Sequence, residues 1–320
     1  MTILEVANLS LRYRTPTGAV HALRDVSVQA RAGEVLGIMG ESGCGKSTLG
    51  AAIINLLGAN AQVTSGQVRY RGRDILTLPA EAQRRLRGRH IGMIFQDPMT
   101  SFNPVLTIGA QLVDFQHHLD GSTAIKRADA VAMLARVGIP DPALCLRRYP
   151  HELSGGMRQR AAIAAALLLQ PDVLVADEPT TALDVTMEAQ IIHLLRELRQ
   201  DYQGAIIMIT HQLGVIAELC DRVVVMYAGQ VVEEGLVDDI YHAPRHPYTA
   251  ALIGCDPARI AATGHRLPTI GGRLPDLINP APGCSFAPRC SMAIEMCHHT
   301  PPPRVQVSTS QSALCHRVRI

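Results

Sequence analysis

Nine consecutive residues have the types and spacing needed to hold a polyphosphate: Gly40-Glu41-Ser42-Gly43-Cys44-Gly45-Lys46-Ser47-Thr48. They fit G-x-x-x-x-G-K-[ST], in which glycines let backbone N–H groups turn inward and a helix start adds its positive end. Gly40, Ser42, Gly43, Gly45, Lys46, Ser47 and Thr48 are therefore candidate ligands of a nucleoside triphosphate. Lys46 should reach the β- and γ-phosphates, and the Ser47 hydroxyl should take a Mg²⁺ position. Three other polar sets stand where apolar runs end: Gln96 after Ile91–Phe95, Asp177-Glu178 after Val173–Ala176, and His211 after Ala205–Ile209. Ligands of open α/β sheets bind outside the carboxyl ends of strands, where such residues lie. Asp177 should hold Mg²⁺ and Glu178 should face the attacking water as general base. Gln96 is placed to meet the Mg²⁺, the γ-phosphate or its water, and His211 the γ-phosphate.

A second glycine-bearing helix start follows at Leu153-Ser154-Gly155-Gly156-Met157. It is an anion site of the same physical kind, and two such starts in one chain suggest that they meet over one nucleotide. Tyr13, at the end of a first strand ahead of the loop, is a candidate to stack on a purine ring. Near the end of the chain, Cys284-x5-Cys290-x6-Cys297-x17-Cys315 supplies four soft ligands from Pro-rich sequence. Four thiolates suit zinc or an iron–sulfur cluster, and spacing alone does not choose between them.

The elements that must position these groups are legible in part. Val35–Met39 reads as a buried strand, and Leu49, Ile53, Leu56 and Leu57 keep helical spacing after the loop. The first forty residues read as strands with turns at Thr15–Gly18 and Arg31–Gly33, and Gly66–Gly72 as a hairpin edge. Residues 80–89 read as a short basic helix. From 99 to 169 the pattern is helical, broken at Gly138-Ile139-Pro140-Asp141-Pro142, and Ser154 opens a helix through Leu168. Ile191, Leu194, Leu195 and Leu198 form one helix face, and Val223–Tyr227 with Gly229-Gln230 a closing hairpin. Past Gly271 the sequence turns loop-rich.

Charge is nearly balanced, with 30 Lys+Arg against 28 Asp+Glu, aromatics make up 3% and Trp is absent. Neither a basic field nor a base-stacking platform is suggested, so no nucleic-acid partner is expected. No secretory signal and no run of eighteen apolar residues is seen. The expectation is a protein soluble by itself, meeting a membrane through partners, with its eight cysteines reduced. Cys44, inside an electropositive loop at a helix start, is expected to have a lowered thiol pKa.

Taken together, Gly40–Ser47, Gln96, Leu153-Ser154-Gly155-Gly156, Val173–Glu178, Ala182-Leu183-Asp184 and His211 resemble the ordered motifs of the ATP-binding cassette (ABC) ATPases. The resemblance covers residues 1–240. It implies an α/β P-loop NTPase fold with a RecA-like core sheet, an N-terminal antiparallel β subdomain and a helical subdomain near 99–169. It also implies a head-to-tail pair of cassettes, identical or different, with two ATPs between them. Ser154, Gly155 and Gly156 would then meet the ATP on the other cassette's loop, Asp184 would lie at the seam, and Tyr13 would stack on adenine. Met157 departs from the glutamine that many members carry.

More narrowly, Phe95-Gln96-Asp97-Pro98-Met99-Thr100-Ser101-Phe102-Asn103-Pro104 and His246-Pro247-Tyr248-Thr249 with Leu252 resemble the oligopeptide/dipeptide (and nickel) importer subfamily. That implies two membrane permease subunits docking near Gln96, a solute-binding protein acting through them, and a peripheral place on the cytoplasmic face of the membrane. Pro282-Gly283-Cys284 and Pro288-Arg289-Cys290 resemble its extension, which implies a [4Fe–4S] cluster on the four cysteines ahead of zinc. The expected organisation is an ATPase domain over 1–240, a helical linker over 241–270 and a cysteine-rich extension over 271–320. A soluble ABC ATPase acting on ribosomes or DNA is the alternative; it would call for two cassettes in one chain or a long coiled-coil insertion. A non-catalytic cassette would usually lack the glutamate that stands here as Glu178.

Overall fold

The computed structural model describes residues 1–97, 101–180, 184–256 and 268–318; the expectations for Pro98–Thr100 and Thr181–Leu183 lie outside the described residues. The chain divides into two compact units. One, the helical unit, is formed by Met1, Arg31–Gly33 and Leu78–Ile207; the other, the phosphate-loop unit, by Thr2–Ala30, Glu34–Thr77 and the described residues from Met208 on.

Strands β1 (Thr2–Thr15) and β2 (Gly18–Arg31) are joined by a two-residue turn. The Thr15 hydroxyl closes it by donating to the Gly18 carbonyl at 2.7 Å. Leu4, Val6, Leu9 and Leu11 of β1 are buried, and a register shift after Ala7 keeps Leu9 and Leu11 inward. The five residues of β3 (Val35–Met39) are all buried, which supplies about 1.5–3 kcal/mol for each large apolar side chain. Helix α1 (Lys46–Ile53) follows the phosphate loop, then β4 (Ala61–Tyr70) and β5 (Arg73–Asp74). The order β2-β1-β4-β5 makes the antiparallel sheet, with Tyr13 opposite Ala61.

The helical unit carries α2 (Ala80–Leu86), β6 (Ile91–Ile94), α3 (Ile108–Phe115), α4 (Thr123–Arg136), α5 (Pro142–Cys145), α6 (Gly155–Leu167), β7 (Val173–Asp177) and α7 (Val185–Asp201). Helices α3, α4, α5, α6 and α7 start where Thr107, Ser122, Asp141, Ser154 and Asp184 accept a backbone N–H, each satisfying a donor the helix cannot. Strands β6 and β7 pair in parallel, with Ile94 beside Ala176, so Gln96 and Asp177 leave the same end of the pair. Ile191, Leu194, Leu195 and Leu198 of α7 are buried as their spacing predicts. Strand β8 (Ala205–Ile209) carries the boundary between the units.

The phosphate-loop unit continues with α8 (Leu213–Leu219), β9 (Arg222–Tyr227), β10 (Gln230–Leu236), α9 (Val237–His242) and α10 (Pro247–Gly254). Strand β9 lies parallel to β3 and antiparallel to β10. The extension is less loop-like than its composition suggests: after α11 (Glu295–His299), β11 (Arg304–Gln306) and β12 (Ser312–Leu314) extend the sheet in the order β11-β12-β10-β9-β3. Buried Glu233 of β10 anchors this addition, accepting from Arg245 N at 2.7 Å, His246 N at 2.9 Å and Gln311 Nε2 at 3.0 Å. Among the described residues no helix is long and apolar enough to cross a membrane.

Candidate nucleotide site

The phosphate loop leaves the end of β3 with backbone only glycine tolerates. Gly40 has φ 150°, and a Cβ there would lie 2.2 Å from the Met226 carbonyl oxygen. Gly45 has φ 107°, with a Cβ position 2.6 Å from the Ala22 oxygen, and it starts α1 without any side-chain cap. The first N–H groups of α1 are thus aimed into the loop rather than at a capping hydroxyl. Lys46 is buried, and its ammonium donates to the Gly40 carbonyl at 2.7 Å and the Glu41 carbonyl at 3.0 Å. Ser42, Gly43 and Ser47 are exposed and Thr48 is half-buried. In the same unit Thr210 N donates to the Ile38 carbonyl, which sets His211, exposed, just beyond the end of β8. Tyr13 is half-buried at the far end of β1.

In the helical unit β7 ends on buried Asp177, and Glu178 follows in a left-handed backbone conformation with φ 46°. A non-glycine residue held there costs about 1–3 kcal/mol, and such strain collects at functional sites. Gln96 Nε2 donates to Glu178 Oε2 at 2.9 Å, so the end of β6 holds the carboxylate that follows β7. The Ser154 hydroxyl accepts from Met157 N at 3.3 Å and starts α6. Gly155 is exposed with nothing near its missing side chain, whereas Gly156 is buried under the tip of Met187. Met187 N in turn donates to Asp184 Oδ1 at 2.8 Å, so one residue ties the Ser-Gly-Gly start to the aspartate.

Two buried residues of this unit, absent from the sequence reading, fix these loops. Arg158 donates to the Pro150 carbonyl at 3.0 Å and the Leu153 carbonyl at 3.1 Å, holding the segment that leads into Ser154. Gln159 Nε2 donates to the Pro179 carbonyl at 2.6 Å and so links α6 to the residue after Glu178. A pair of long polar side chains facing inward on an Ala-rich helix was the available signal.

Cys44 reverses its expectation. It is 4% exposed, and burial pushes its thiol pKa up, outweighing the pull of Lys46. The terminal cysteines do come near one another: Cys284 N donates to the Cys297 carbonyl at 2.8 Å, and Cys297 and Cys315 are buried. Burial raises the Cys284 thiol, and the charges of Cys297 and Cys315 raise it further. Cys290 is raised by burial and then by Cys315 and Cys297. A cation would offset that mutual repulsion. However, among the described residues no three His, Cys, Asp or Glu side chains are set closely enough to hold a metal ion. The residues as arranged therefore do not make a single-ion site. Beside them His299 Nε2 lies 3.0 Å from Glu295 Oε1, and His316 Nε2 lies 3.0 Å from the Thr300 carbonyl oxygen.

A strand–loop–helix phosphate cradle, an acidic pair with a strained glutamate after a parallel strand and a Ser-Gly-Gly helix start define the class of ABC ATPase cassettes. The ABC transporter family model matches residues 23–181, and a model described as a putative AbiEii toxin AAA domain overlaps residues 146–217. A solved dimeric post-hydrolysis structure of the ATP-binding cassette MJ0796, bound to ADP and Pi, is 28% identical. Its TM-score is 0.65, and the match covers 73% of this chain and 98% of that one.

The narrower family follows from the rest of the chain. The model for the C-terminal region of oligopeptide/dipeptide transporters matches residues 232–297. The dipeptide transport ATP-binding protein DppD of Bacillus subtilis is 46% identical over 98% of this chain and 94% of its own length. The oligopeptide transport ATP-binding protein OppD of Salmonella typhimurium is 47% identical over 94% and 89%. The chain belongs to the family of oligopeptide/dipeptide transport ATP-binding proteins.

Proposed function

We propose that this chain is the ATP-hydrolysing subunit that energises import of di- or oligopeptides through a membrane permease. The observation that carries this reading is the 2.9 Å hydrogen bond from Gln96 to Glu178. It joins the segment expected to face a permease to the carboxylate expected to activate water, so docking and hydrolysis share one contact. Lys46 leaves its two loop carbonyls for the β- and γ-phosphates, the exposed N–H groups of the loop take the remaining oxygens, and Tyr13 stacks on adenine. Ser47, Asp177 and Gln96 would be the residues to hold Mg²⁺, which would supply charge neutralisation to the departing γ-phosphoryl group. Glu178 takes the proton of the attacking water on its carboxylate, and His211 hydrogen-bonds the γ-phosphate. Ser154, Gly155 and Gly156 act on the ATP of a second cassette, with Asp184 at the seam.

The chain works peripherally at the cytoplasmic face, bound to two permease subunits that receive solute from a binding protein. Its parts are an ATPase domain over 1–240, a linker over 241–270 and an extension over 271–320. The four terminal cysteines are proposed to hold a structural [4Fe–4S] cluster. Zinc is the alternative, since four thiolates suit either group. Anaerobically prepared protein should then be brown, with a broad visible band and bound iron; colourless protein free of iron removes the cluster. The transport reading is tested in proteoliposomes holding the permease, the binding protein and this chain. Labelled dipeptide should accumulate only with ATP, and ATP consumption that ignores peptide, with no uptake, contradicts it.

A further inference from the structure

The extension reaches into the phosphate loop through one side chain. Arg289, one residue before Cys290, forms a two-pronged ion pair with Glu41, the second residue of the loop: Nη1 to Oε2 at 2.6 Å and Nη2 to Oε1 at 2.9 Å. Its remaining donors are also taken, Nε by the Gly271 carbonyl at 2.9 Å, Nη2 by the Ile270 carbonyl at 3.0 Å and Nη1 by the Tyr227 hydroxyl at 3.3 Å. A guanidinium has five N–H donors in a fixed fork, and here all five have partners. The side chain is 4% exposed, with Tyr227 and Phe286 rings 5.7 and 6.0 Å from its centre. Gly272, at φ 89°, leaves room for the Arg289 stem, since a Cβ there would stand 2.8 Å from Arg289 Cγ.

Glu41 is held at its other two polar groups as well. Its N–H donates to the Tyr248 hydroxyl at 2.8 Å, and its carbonyl accepts from Lys46 Nζ at 3.0 Å. Carboxylate, amide and carbonyl of one loop residue thus join the extension, helix α10 and the phosphate-binding lysine. All of these groups lie in the phosphate-loop unit.

We propose that Arg289 is a positioning residue for ATP: by clamping Glu41 it presets the phosphate loop and Lys46, so that the seating of the cysteine-bearing extension sets nucleotide affinity. Any change that moves Cys290 moves its neighbour Arg289 with it. This inference rests on the reading of the loop as an ATP site.

The test is a titration of the full-length chain with ATP, by calorimetry, together with KM and kcat of the assembled transporter. Arg289→Gln should weaken ATP binding tenfold or more and raise KM while kcat stays within about threefold. Arg289→Lys, which keeps charge but not the fork, should fall between. Glu41→Gln leaves the Arg289 bonds to Ile270, Gly271 and Tyr227 intact, so it spares the extension yet should match Arg289→Gln. The double variant should bind no more than twofold worse than either single one, because one clamp has been removed. ATP binding by Glu41→Gln within twofold of the parent, or additive losses in the double variant, overturns the clamp. A parent chain that binds no ATP overturns the ATP-site reading and the clamp with it.

Discussion

The two glycine-bearing helix starts share a local recipe and differ in what completes them. At Gly45 the helix begins on a left-handed glycine with no side-chain cap, and the loop ahead is shaped by close contacts with Met226 and Ala22. At Ser154 the helix begins on an ordinary serine cap, and Gly155 has open space around it. The first is a finished cradle whose lysine rests on its own carbonyls. The second is a stable turn whose glycine is not required by anything near it within its own unit. That open space is what the proposed contact with a second cassette's nucleotide would use.

That contrast gives graded expectations. The largest concerns the ground under the first start. Buried His246 accepts from Tyr248 N at 3.0 Å, beside the tyrosine that holds Glu41, and burial lowers its pKa from 6.5 to about 4. The folded state favours neutral His246, so its stability contribution is present above pH 6.5 and is lost as pH falls towards 4. It amounts to up to about 3 kcal/mol. Glu233, raised by burial, works in the opposite sense over acid pH and trims the net effect. His246→Asn keeps an acceptor for the cap, and urea unfolding across pH 4–7 should show a flatter slope than the parent. Next, Gly40→Ala should cost about 1–3 kcal/mol of strain in urea unfolding and abolish ATP binding. Ser154→Ala should cost about 1 kcal/mol, the value of a helix cap.

Gly155→Ala should leave stability within about 0.5 kcal/mol yet depress ATPase activity in the assembled transporter. Equal unfolding curves for Gly40→Ala and Gly155→Ala would erase the contrast. The smallest effect is kinetic: maleimide should label buried Cys44 more slowly than half-buried Cys255, faster as pH rises, and with little further change on adding Mg-ATP.

Motifs read from spacing were found on the expected strands and helices because each rests on short-range physics: an apolar run, a cap, a glycine turn. The long helical faces were legible for the same reason, Ile191 to Leu198 being a plain i, i+3, i+4, i+7 set. What sequence spacing could not convey was burial. Cys44 sits in an electropositive loop, but its exposure of 4% reverses the sign of its pKa shift. Arg289 and Glu41 are 248 residues apart, and nothing local to either signals the pair. The strands Arg304–Gln306 and Ser312–Leu314 are three residues each, too short to show alternation, and exist because β10 offers them an edge.

If Glu178 is the base for ATP hydrolysis, with its carboxylate held by Gln96, removing that carboxylate's charge should stop turnover. The measurement is the ATPase rate of the assembled transporter with Glu178→Gln against the parent, alongside bound ATP. The rate should fall by about 10²–10⁴-fold with ATP still retained. A Glu178→Gln transporter that consumes ATP as fast as the parent contradicts the account.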